Sequence, residues 1–225
     1  DYLALRLQHN GGSWKDLHRL IVCSATYRQQ SEHRADAAAV DAANRLYWRA
    51  NRRRLEAEAV RDTLLYVAGK LDLRMYGPSF QDFVIERPEH SPHYEYDRAD
   101  PADPRLHRRA IYRFIVRSQP QPMMAAFDCA DPSMSVPQRR QATTPQQALA
   151  LLNNRFTLWA ARAMAERLDR STVSLDDQVT LAWRLVVQRP PDKDEQAWLV
   201  DYARRHGLPA LCRVLLNLNE VMIID

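Results

Sequence analysis

The sequence predicts a mainly α fold, a helical domain with a small β hairpin and two long irregular loops. Three observations carry that reading. Apolar residues recur at spacings of three and four over most of the 225 residues. Several of those stretches open on a recognisable helix-start signal. Prolines then cluster in two segments, where each removes a backbone donor and clashes with the preceding turn.

Ser13 with Asp16 forms a capping-box-like start. Leu17, Leu20, Ile21 and Ser24 then share one face, so a helix is predicted from Trp14 to about Tyr27. A longer helix is predicted from Asn44 to Leu71, with Val60, Leu64, Val67 and Leu71 in its stripe and Gly69 loosening its end. Pro78, Pro88, Pro92, Pro101 and Pro104 make the segment from Gly77 to about His107 irregular. Phe83–Ile85 reads as a short strand, and Ala110, Tyr112, Phe114 and Val116 alternate with their neighbours. A hairpin pairing those two segments is therefore predicted, since a lone strand is unstable.

The segment from Ser118 to Thr144 is the second irregular loop, and compact domains seldom carry loops of that length without a use. Thr144-Pro145-Gln146-Gln147 then supplies an N-cap, a proline at the first helical position and a glutamine at N3, opening a helix to about Leu168. Ser174 starts another helix, ending before Pro190-Pro191. Asp192 and Glu195 start a third, closed by Gly207, and Pro209 opens the last. The chain reads as one domain over residues 1–225, or as two packed halves, 1–76 and 109–225, joined by the proline-rich segment.

Charge and cysteine content narrow the function classes. Net charge is +4; of 32 basic residues three are lysine (Lys15, Lys70, Lys193), which leaves 29 arginines. Guanidinium groups suit phosphate or carboxylate, but 28 acids are interspersed, so the one-signed patch that nucleic acid requires is not expected. No apolar run approaches the roughly 20 residues of a membrane span. Cys23, Cys129 and Cys212 are far apart, with no C-x-x-C pairing, and Cys23 and Cys212 are expected in the core. Neither a G-x-S-x-G elbow nor a glycine-rich phosphate loop occurs. The amphipathic opening Asp1–Leu7 suggests a piece of a longer chain.

Several phrases, in order, point to one family: Leu17-His18-Arg19-Leu20-Ile21 through Arg28, Asn51 to Asp62, Tyr112 to Arg117, Phe127-Asp128, Pro145 to Asn153, and Leu215 to Glu220. Together they resemble the planctomycete domain of unknown function 1553 over nearly the whole chain. The resemblance implies the C-terminal part of a large exported protein, periplasmic or at the cell surface. Its upstream domains would be partners of this one and often include a cytochrome-c-like domain. Any haem is thus expected upstream, with no cofactor in this segment. The family supplies no catalytic residues to carry over.

Three constellations are candidates on their own chemistry. Arg54, Glu58, Arg61 and Asp62 would share a helix face, as an anion site or as an ion network locking the helix to its neighbours. Asp128, Asp131, Arg139, Arg140, Thr143 and Gln147 gather around a helix N-terminus, where backbone donors favour an anionic or hydroxyl-rich ligand. Asp128 and Asp131 could also do paired acid–base work, or simply tie the loop down. Glu86, Glu89, His90, His93, Glu95 and Asp97 crowd together, but Pro92 keeps the histidines off a common helix face, and no metal site is expected. Two functions follow. One is a non-catalytic accessory or interaction module of an exported multidomain protein, binding polysaccharide. The alternative is a share of the active site of a hydrolase or haem-linked redox enzyme acting on carbohydrate.

Overall fold

The computed structural model describes residues 1–87, 91–139 and 142–224. It is mainly helical, with a small antiparallel hairpin, and the chain divides into two compact units, 1–53 with 223–225, and 54–222.

The smaller unit holds α1 (Tyr2–His9), α2 (Trp14–Val22) and α3 (Ala35–Val40). Asn10, Gly11 and Gly12 turn the chain between α1 and α2, both glycines at positive φ, and Gly12 N–H bonds the Leu7 carbonyl at 2.9 Å. Ser13 caps α2 by accepting from the Asp16 amide. The helix stops at Val22, five residues earlier than the spacing predicts, and Cys23 is exposed there rather than in the core. From Asp41 to Asn51 the chain is irregular. Asn44 takes a left-handed φ of 51° and binds the Arg49 carbonyl and Asn51 with its side chain.

The larger unit begins with α4 (Ala57–Val67), followed by α5 (Pro122–Ala126), α6 (Pro145–Asn153), α7 (Arg155–Ser171), α8 (Leu175–Val187), α9 (Lys193–His206) and α10 (Leu208–Leu215). Its core centres on α7, which packs against α4, α6, α8 and α10. Val60, Leu64 and Leu65 of α4 meet there with Ala160, Met164 and Leu168 of α7, Leu151 of α6, and Leu211 and Leu215 of α10, all fully buried. Each such large side chain stabilises by about 1.5–3 kcal/mol. Cys212 belongs to this core, and burial pushes its thiol up to about 12.

Three expectations need correction. The helix predicted over Asn44–Leu71 begins only at Ala57, because Glu56 is extended (ψ 155°) and the Leu55 amide donates to the Met222 carbonyl instead of entering a helix. The helix predicted from Thr144 to Leu168 is two, broken at Asn154 (ψ 137°), whose side chain caps α7 by accepting from the Phe156 amide at 2.9 Å. The hairpin pairs Val84–Glu86 with His93–Glu95, not with the 110–116 segment. In that segment the buried residues are Ala110, Arg113 and Val116, a period of three, and Ala110–Tyr112 is a 3-10 turn. A buried arginine displaced the alternation, and the segment meets Phe80 through only one isolated bridge.

Candidate functional site

Helix α4 carries charged side chains to two clusters within the larger unit. Ahead of its first turn, Arg54 reaches the loop after α5. Its Nη2 lies 2.7 Å from Asp128 Oδ2, and both terminal nitrogens also face the Phe127 carbonyl at 3.4 Å. Asp128 Oδ2 accepts a second bond, from the Nε2 of the fully buried Gln147 at 3.1 Å. Gln147 Oε1 in turn takes the Thr144 amide, while Thr144 Oγ1 takes the Gln147 amide, completing the expected capping box. Asp128 sits at a left-handed φ of 57°, a conformation aspartate tolerates better than most residues.

In the first turn of α4, Glu58 accepts from Arg139 Nη1 at 2.6 Å, and Glu56 lies 3.3 Å from the same nitrogen. Burial opposes ionisation of Glu58, but the Arg139 guanidinium outweighs it and holds the carboxyl below its ordinary 4.5. Cys129 Sγ donates to Glu58 at 3.7 Å, and burial beside that carboxylate raises the thiol pKa. Asp131 is exposed and accepts from the Ser133 amide at 2.8 Å; Thr143 is exposed one residue before the cap. Arg140, Glu89 and His90 lie outside the described residues. The structure thus joins Arg54 to Asp128 and Gln147, and Glu58 to Arg139. It does not gather Arg54, Glu58, Arg61 and Asp62 on one face, because Arg54 precedes the helix.

Arg61, only 5% exposed, enters a second cluster. It donates to the Arg108 carbonyl at 3.0 Å and the Leu106 carbonyl at 2.5 Å, with its guanidinium about 5 Å from the rings of Phe80 and Phe156. Burial pulls its pKa down to about 10, so it stays charged at neutral pH. Asp62 lies 3.8 Å away and accepts from the Ala110 amide at 2.7 Å. Behind it the buried Arg113 pairs with Asp82 at 3.5 Å, and burial raises the Asp82 carboxyl despite both arginines. A cavity of about 70 Å³ opens beside Arg61 and Asp82, walled by Tyr96, Met124, Asn154 and Phe156. Sequence reasoning missed Asp82 and Arg113. The only available signal was an arginine at a three-residue spacing from Ala110 and Val116.

A third feature lies on the proline-rich segment. Tyr76, 81% exposed and at a left-handed φ of 64°, is held by its neighbours rather than by its own preference. Its amide donates to the Tyr112 hydroxyl at 2.7 Å, and its carbonyl accepts from Arg108. Arg108 also bonds the Pro78 carbonyl at 2.6 Å and stacks 3.9 Å from the Tyr112 ring centroid. Beside it runs an open cleft of about 770 Å³, lined by Met75, Tyr76, Phe80 and Gln81, with Arg74 and Arg105 on its rim.

Glu86 pairs with Arg98 and stands opposite His93 in the hairpin; among the described residues no group of three potential metal ligands converges. Among the described residues no helix is long and apolar enough to cross a membrane.

The model of the family described as PSD1, protein of unknown function (DUF1553), matches residues 1–203. No curated protein and no solved structure matches the chain.

Proposed function

Since the chain belongs to the PSD1 family of unknown function (DUF1553), we propose a role from its own geometry, as a non-catalytic module that binds polysaccharide in the Tyr76 cleft. The observation that carries this reading is the exposed Tyr76 ring on a strained backbone. A bulky residue at positive φ persists only where surrounding contacts over-determine it, and here Arg108 and Tyr112 do so. The result is a flat aromatic face beside a cleft rimmed by arginine and amide groups, the mix of stacking surface and polar donors that sugar rings require. On that rim Arg74 pairs with Asp72 and Arg105 with Asp103, and Arg108 is left as the excess positive charge, which favours sulfated or uronate chains over neutral ones.

The loop cluster supports a scaffold role in the same reading. Asp128 is committed to Arg54 and Gln147, and such a carboxylate is poorly placed to exchange a proton with a substrate. In this reading the module works within an exported protein beside other domains, any haem being theirs.

The test is calorimetric titration with a sulfated galactan oligosaccharide and a neutral cello-oligosaccharide, on the native chain and on Tyr76→Gly. Glycine adopts the left-handed φ without strain, so folding stability should hold or rise slightly. The native chain should bind the sulfated probe more tightly, and Tyr76→Gly should lose that binding. Equal binding by the variant, or none by the native chain, would overturn the proposal.

A further inference from the structure

The cavity beside Arg61 has no part in that reading, and its walls are unusually rich in uncommitted donors. Arginine carries five N–H groups. Among the described residues, Arg61 gives two of them to backbone carbonyls; its charge is answered by Asp82 on the cavity wall and by Asp62 at 3.8 Å, with no carboxylate hydrogen-bonded to it. Two amide side chains share the wall, Gln121 and Asn154. Both are helix caps: Gln121 Oε1 takes the Met124 amide at 2.7 Å and Asn154 Oδ1 takes the Phe156 amide at 2.9 Å. With each oxygen taken by its cap, and no partner for either NH₂ among the described residues, two more donor groups remain for the cavity. Arg155 stands at the N-terminus of the 17-residue α7, where the helix dipole adds positive potential.

Two of the three acids nearby are already engaged. Asp82, on the cavity wall, faces both Arg113 and Arg61, and Asp62 takes the Ala110 amide; Asp97, also on the wall, is exposed. Met123, Met124 and Phe156 supply an apolar side. About 70 Å³ is roughly two water volumes, enough for an acid of two or three carbons.

We propose that this cavity is a binding site for a small carboxylate, its oxygens on Arg61, Gln121 and Asn154 and its carbon tail against Met124 and Phe156. The cavity shares Leu106 with the Tyr76 cleft but none of these three donors.

Asn154→Asp isolates the proposal, because aspartate caps a helix as well as asparagine does but replaces the NH₂ donor with a repelling oxygen. Thermal unfolding of the 225-residue chain would be followed in sodium acetate, with sodium chloride at equal ionic strength and acetamide as controls. Binding to the folded state raises the melting temperature by mass action. A saturable rise is expected with acetate alone. In Asn154→Asp, whose unliganded melting temperature should stay close to native, acetate should bind at least about tenfold more weakly, the scale of one lost hydrogen bond to a charged group. Gln121→Glu repeats the test on the second cap should Asn154→Asp fail to fold. Equal shifts by acetate and acetamide, no shift at all, or undiminished acetate binding in a folded cap variant would each overturn it.

Discussion

The two charged clusters served by α4 use the same residue types to opposite ends. In the loop cluster both buried-side carboxylates and the amide have partners. Asp128 has two donors, Gln147 is bonded through both ends of its amide, and Glu58 has Arg139. In the Arg61 cluster the carboxylates are likewise held, but donors are left facing a cavity. Polar groups that satisfy one another specify structure, whereas convergent donors beside an empty volume are what a ligand site requires. Residue type alone does not separate the two; the balance of donors and acceptors does.

That contrast can be broken by substitution. The largest effect is expected for Arg54→Ala, which strands the part-buried Asp128 carboxylate; urea unfolding should show a loss of about 3–5 kcal/mol. Gln147→Leu removes the second donor to Asp128 and the reciprocal half of the capping box, and should cost about 1–3 kcal/mol in the same assay. Arg139→Ala breaks a pair whose partners are each about one third exposed, so solvent screening limits the loss to about 0.2–1 kcal/mol.

The pH dependence of stability sharpens the contrast further, because the two clusters titrate in opposite senses. Glu58 has a lowered folded pKa, so its contribution is full above its unfolded value near 4.5 and is lost as pH falls through the folded one. Asp82 has a raised folded pKa, so its contribution is full below its unfolded value near 3.8 and is lost as pH rises through the folded one. Urea midpoints between pH 3 and pH 6 should therefore show Glu58→Gln costing more at pH 6, and Asp82→Asn costing more at pH 3. Slopes of the same sign would remove the distinction between the clusters.

The helical frame was legible where local signals agreed with tertiary demand. The Thr144 and Asp192 capping boxes and the Gly207 stop fall where their residue types place them. Asn154 is a capping residue within an unbroken apolar pattern, so periodicity ran through a break that only its side-chain bond to Phe156 reveals. Leu55 and Glu56 continue a helical pattern too, yet the Leu55 amide is taken by Met222, more than 160 residues away in sequence. Arg113 misled the strand reading because a buried arginine is tolerable only with a partner, and nothing in the spacing announced Asp82. The Arg61 cavity was invisible for the same reason: its donors come from segments that only folding brings together.

The most direct test of the claim that the loop cluster is scaffold is the thermal unfolding of Asp128→Asn with and without the sulfated galactan oligosaccharide. The account predicts a lower unliganded melting temperature than native, with the ligand-induced rise unchanged. An unchanged unliganded melting temperature with the ligand-induced rise abolished would contradict it, and would put the binding site on the loop that Asp128 anchors.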